Sequence, residues 1–147
     1  MGRARQLIEQ AIELFNAGDL ERLTPMYAED AVEITPRGQF QGRTAIGERL
    51  RAEHAAFPDQ HMKPLVWVEE GDTVVVEYTW TGTHTGPAPL PDGAVLPPTG
   101  EQLTLAVVSV FQLRGDETVA HRMYWDQLPA MLQLGVVTLP ERPGEAG

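Results

Sequence analysis

The apolar residues of this chain change their prevailing spacing near residue 58, and that change limits the available folds more than any other feature. Before it, they recur at helical intervals. Leu7, Ile8, Ala11, Ile12, Leu14 and Phe15 predict an amphipathic helix over about 4–16, with Gly18 near its C-terminal cap. Asp19 is placed to cap a short second helix that turns Leu20, Leu23, Met26 and Tyr27 inward. A brief strand over 31–35 is stopped by Pro36. A third helix over about 44–56 carries Ile46, Leu50, His54 and Phe57 on its apolar face and ends at Pro58-Asp59. After the change the spacing alternates. Four segments rich in Val, Thr and aromatic residues, about 61–69, 73–85, 101–113 and 118–126, read as an antiparallel meander, with Gly71-Asp72 and Gly115-Asp116 as hairpin turns. Gln127 to Leu134 returns to a short helix ended by Gly135. Helices first and strands afterwards is an α+β order.

With 147 residues and 42% hydrophobic content the chain suits one domain, here 1–139, followed by a disordered tail over 140–147. The 21 acidic residues outnumber the 11 basic ones, giving a net charge of -10 that opposes nucleic acid and anionic membrane surfaces. No Cys is present, so disulfides and thiolate chemistry are excluded. No two of His54, His61, His84 and His121 fall at metal-ligand spacing, so no metal is expected. The N-terminal segment interleaves Gln6, Glu9, Gln10 and Glu13 with its apolar residues, unlike a signal peptide, and no run reaches the roughly 20 apolar residues of a membrane span. A cytoplasmic location is the default expectation.

Within 73–85, Val74, Val76, Tyr78, Trp80 and His84 share one face, which should look inward. The segment 101–113 differs, because Leu103, Leu105, Val107 and Phe111 alternate with Ala106, Val108 and Val110, leaving both faces apolar. Its outer face needs a cover, which a homodimer or the C-terminal tail could supply. Between the two strands, Gly86 to Gly100 is a 15-residue connection with five prolines, stiff enough to act as a semi-rigid flap.

Asp126 is the leading candidate for chemistry. It closes the aromatic run Tyr124-Trp125-Asp126, where a low-dielectric setting would raise a carboxyl pKa toward neutrality. A helix N-cap is its ordinary alternative, and Pro129 limits that role by leaving only the Leu128 N–H to accept. On strict alternation Asp126 shares a face with Tyr124 and Arg122, while His121, Met123 and Trp125 point the other way; which set meets an interior cavity stays open. His84, at the mouth of the Pro-rich connection, is a second catalytic candidate, and Trp80, His54 and Phe57 are candidates to line an apolar pocket.

Several short stretches resemble the SnoaL-like polyketide cyclases of the nuclear transport factor 2-like superfamily. The more general ones are Ala17-Gly18-Asp19-Leu20 and Tyr27-Ala28-Glu29-Asp30-Ala31-Val32. More specific are Phe57-Pro58-Asp59, Thr81-Gly82-Thr83-His84-Thr85-Gly86, Pro97-Pro98-Thr99-Gly100 and Trp125-Asp126-Gln127 with Gln133-Leu134-Gly135. The resemblance implies helices packed on a curved sheet as a cone-shaped α+β barrel, and an apolar interior for a small hydrophobic or polycyclic substrate. It also implies ring closure without cofactor, with Asp126 as acid/base, Tyr124 and His84 as oxygen partners, and Trp80, His54, Phe57, Arg122, His121 and Trp125 around the substrate. Thr35 before Pro36 and Ala11 in the first helix depart from the ketosteroid isomerase relatives, so that reaction is not implied. The competing expectations are a non-catalytic small-molecule-binding or protein-association module of the same fold, or an epoxide hydrolase- or isomerase-type enzyme.

Overall fold

The computed structural model describes residues 2–90 and 92–144. The elements are α1 (Arg3–Asn16), α2 (Leu20–Leu23), β1 (Tyr27–Thr35), β2 (Gly38–Gln41), α3 (Arg43–Ala56), β3 (His61–Glu70), β4 (Thr73–Thr83), β5 (Ala88–Pro89), β6 (Val95–Leu96), β7 (Gln102–Arg114), β8 (Glu117–Tyr124) and α4 (Gln127–Gln133). Six strands form one sheet in the order β2-β1-β8-β7-β4-β3. The meander β3-β4-β7-β8 is antiparallel, as the Gly-Asp turns require, whereas β1 joins its edge parallel to β8. Helices α1 and α3 pack on one face through Ile8, Ile12 and Phe15, and through Ile46 and Leu50, all buried.

Sequence spacing placed most boundaries within two residues. Gly18 follows α1 with φ of 72°, the left-handed conformation that lets the chain reverse into α2, where Asp19 accepts a hydrogen bond from the Arg22 N–H at 3.2 Å. Two features escaped the pattern. The first strand starts at Tyr27, four residues earlier than expected, and β2 forms its outer partner across a turn at Pro36-Arg37. The Pro-rich connection is itself a hairpin of β5 and β6, anchored where Thr85 and Gly86 donate to the Ala56 carbonyl. Of its five prolines, Pro91 lies outside the described residues. Residues 140–144 of the expected tail contain neither helix nor strand, and 145–147 lie outside the described residues.

The inward face of β4 is the expected one: Val74, Val76, Tyr78 and Trp80 are all buried. On the opposite face Val66, Val68 and Tyr124 stay exposed at 50–56%. Residues 140–144 therefore do not cover these side chains. Among the described residues no helix is long and apolar enough to cross a membrane.

Candidate functional site

Helices and sheet leave a cavity of about 380 Å³ between them. Most of its wall is apolar, including Ile12, Phe15, Trp80, Leu103, Leu105 and Met131, and Ala88, Pro89, Leu90 and Leu96 of the Pro-rich hairpin close one side. The expectation that this connection is a flap is matched in position by those four residues.

One end of the cavity is polar, and it is built from the inner faces of β1, β4, β7 and β8 together with α3. Glu33 is fully buried on β1, directly beside His121 on β8 in the parallel register. Arg49 of α3 grips the Glu33 carboxylate with two guanidinium nitrogens, one of them at 3.1 Å, and one turn further along α3 Glu53 meets the same guanidinium. Arg37, from the β1–β2 turn, comes within 3.9 Å of Glu53 Oε2. Among the described residues no side-chain hydrogen bond reaches the other Glu53 oxygen, and Glu53 lines the cavity. A buried charge is tolerated only when it is paired and hydrogen-bonded, which explains the fork of Arg49 between two carboxylates.

Hydrogen bonds extend this cluster across the sheet. His121 Nδ1 lies 3.0 Å from the Tyr27 hydroxyl and 3.2 Å from Glu33 Oε2, and His121 Nε2 lies 2.9 Å from Ser109 Oγ. Ser109 Oγ is in turn 3.1 Å from the Tyr78 hydroxyl. Phe111 stacks on the His121 ring with centroids 4.0 Å apart. Burial by itself pushes the Glu33 carboxyl up, but Arg49 and His121 outweigh it and hold the pKa down at about 2. Burial also pushes His121 below its ordinary value, only partly opposed by Glu33, so the imidazole is neutral at pH 7. Burial and then Glu33 raise Tyr27 well above the usual phenol range, and burial raises Tyr78 likewise. Near neutrality the cluster thus holds an anionic Glu33, a cationic Arg49 and neutral His121, Tyr27 and Tyr78.

The structure divides the sequence-derived candidates. Trp80, Phe57, His121 and Trp125 line the cavity. Asp126, Tyr124, Arg122, His54 and His84 are not among its lining residues. The apolar setting expected for Asp126 is corrected: it is exposed, and it caps α4 by accepting from the Leu128 N–H at 3.1 Å, the one donor Pro129 leaves within reach. The last strand turns His121 and Met123 inward, so Tyr124 and Arg122 face outward, with Tyr124 exposed and Arg122 bonded to Gln112. His84 is fully buried but bonds Thr99 at the base of the hairpin, tying its two ends together. His54 packs under Gly18, where a Cβ would sit 3.2 Å from its ring.

Glu33, Arg49, Glu53, Tyr27 and Ser109 were missed. The available signal was Ser109, a lone hydroxyl between Val107, Val108, Val110 and Phe111, together with Glu33 alternating inward with Ala31 and Thr35.

The architecture places the protein among cone-shaped nuclear transport factor 2-like folds. A SnoaL-like domain profile matches residues 8–121, and the chain belongs to the SnoaL-like family. IdmH of Streptomyces antibioticus, described as a candidate polyketide cyclase, is 26% identical over 91% of this chain and 99% of its own, with a TM-score of 0.73. A candidate polyketide cyclase from Xanthomonas campestris pv. campestris is 23% identical over 90% and 96% of the two chains, with a TM-score of 0.78. AclR of Streptomyces galilaeus, described as a candidate hydroxylase, is 20% identical over 92% and 97%, with a TM-score of 0.77. Curated protein sequences give no match.

Proposed function

We propose that the protein is a ring-closing enzyme of natural-product biosynthesis whose acid/base group is Glu53, not Asp126. The observation that carries this reading is the Glu53 carboxylate at the polar end of an apolar cavity, with one oxygen bonded to Arg49 and the other accepting no side-chain hydrogen bond from the described residues. Glu53 takes a proton from a carbon lying between two carbonyl groups. The resulting enolate carbon bonds to a second carbonyl carbon of the same folded chain, and Tyr27 donates a hydrogen bond to the alkoxide oxygen that forms. The proton on Glu53 is then returned to that oxygen. The apolar wall contributes by holding the chain folded, since well-oriented intramolecular reactions reach effective molarities of order 10⁵ M. The candidate cyclases among the structural relatives support this choice of substrate class.

The test is turnover of poly-β-carbonyl model substrates. Glu53→Gln should lower the ring-closing rate by roughly 10² to 10⁴-fold, and Asp126→Asn should leave it unchanged. The opposite pattern returns the role to Asp126. One observation favours the alternative of a binding module: the buried polar groups around Glu33 are paired with one another. Binding of these compounds with no turnover by the wild type would decide for it.

We propose also that the outer sheet face takes a second copy of the chain. Val68, Val75 and Val110 follow one another across β3, β4 and β7, flanked by Glu77 on one side and Arg122 on the other. A two-fold axis along β7 sets the acidic side of one copy against the basic side of the other. Sedimentation should give a dimer for the wild type and a monomer for Val110→Lys; a wild-type monomer ends the idea.

A further inference from the structure

The hydrogen bonds around His121 have two self-consistent directions. In one, Tyr78 donates to Ser109, Ser109 donates to His121 Nε2, Nδ1–H donates to the Tyr27 oxygen, and Tyr27 donates toward Glu33. In the other, Tyr27 donates to Nδ1, Nε2–H donates to Ser109, and Ser109 donates to Tyr78. The surroundings choose between them. Glu33 is ionised and can only accept, so the Tyr27 hydroxyl 3.4 Å from its Oε2 donates toward it, and His121 Nδ1, 3.0 Å from the same hydroxyl oxygen and 3.2 Å from the carboxylate, carries the proton that faces them. With the proton on Nδ1, Nε2 becomes an acceptor, and Ser109 at 2.9 Å is the donor it requires. Ser109 then accepts from Tyr78 at 3.1 Å, and every proton in the row runs toward Glu33.

Tyr27 is where this direction matters. Its hydroxyl oxygen, 3.0 Å from Nδ1, shares the imidazole proton as an acceptor, while its own proton has only a long contact of 3.4 Å to Glu33. It is the most loosely held proton of the network, and Tyr27 is on the cavity wall. In the reverse direction that proton would be bound up on Nδ1.

We infer that Ser109 and Tyr78 are positioning residues: by fixing His121 with its proton on Nδ1, they leave the Tyr27 hydroxyl free to donate to a substrate oxygen. Ser109 is not on the cavity wall and acts through His121 and Tyr27. The inference deepens the ring-closure reading and rests on it for the identity of that oxygen, but the tautomer itself is a property of the ligand-free protein.

The decisive measurement is ¹⁵N NMR of histidine-labelled, ligand-free protein at pH 7, with His121 assigned by its loss in His121→Gln. The expected result is a protonated Nδ1 and an unprotonated Nε2. Ser109→Ala should shift His121 toward the other tautomer or a mixture, and Ser109→Thr, which keeps the hydroxyl, should restore it. Tyr78→Phe, which retains the ring and its packing, is a second probe should Ser109→Ala fold poorly, and it should loosen the same preference. With an active substrate, Ser109→Ala should lower kcat more than it raises KM. A wild-type His121 protonated on Nε2, or a tautomer unaffected by both Ser109→Ala and Tyr78→Phe, overturns the inference. Since no substrate enters the NMR experiment, a failure of the ring-closure reading would be seen separately, as absence of turnover.

Discussion

Glu33 and Asp126 are both carboxylates beside aromatic rings, one on the first strand and the other just after the last, yet their surroundings differ in every respect that governs chemistry. Glu33 is enclosed by Arg49, His121 and Tyr27, with no exposed surface. Asp126 sits between two cavity-lining residues, Trp125 and Gln127, but turns outward to hold the first turn of α4. The difference teaches that aromatic neighbours in sequence do not make a low-dielectric site. What makes one is the closure of a second layer over the strand, here α3 laid across β1.

The strongest way to break this comparison is to remove the cation. Arg49→Ala leaves Glu33 buried without its partner, and the expected loss is about 3 to 5 kcal/mol of folding stability, read from denaturant unfolding. A loss below about 1 kcal/mol would mean that Glu33 reaches water. Acid tests the same region more gently. The Glu33 pKa is depressed from its ordinary 4.5 to about 2, so its contribution is present above about pH 4.5 and lost as pH falls from there through about 2. His121 is also depressed from 6.5, and the unfolded chain takes up that proton first, so the decline should begin near pH 6.5. Unfolding free energies that stay flat between pH 7 and 3 would contradict both assignments. The smallest effect belongs to Asp126. Asp126→Ala should cost about 1 kcal/mol by loss of the cap, with the change confined to amide exchange in α4; a loss above 3 kcal/mol would show a second role.

Much of the fold could be read from spacing, because α1, α3 and the meander each bury one stripe or one face, and the stripe is visible in the order of residues. The inward run Val74, Val76, Tyr78 and Trp80 is an instance, and Trp80 duly lines the cavity. The polar site was less legible. Glu33 lies on a strand whose outward residues include the apolar Val32 and Ile34, so apolar spacing points away from the face that carries it. Arg49 and Glu53 occupy positions on α3 that resemble a solvated helix face until Glu33 is known to lie opposite. Asp126 shows the reverse error: its cap was recognised as an alternative, but the outward turn at the end of β8 was open because a single bulge can exchange the faces of a strand.

The parallel pairing of β1 with β8 also has a consequence for how the protein is made. Tyr27 and His121 lie 94 residues apart in the chain. Everything between them must be synthesised, and the intervening hairpins formed, before the first strand can find its neighbour, so loop-closure entropy should make this the late step of folding. Until then Glu33 lacks His121 beside it, and the last part of its desolvation is deferred to the moment when the last strand docks.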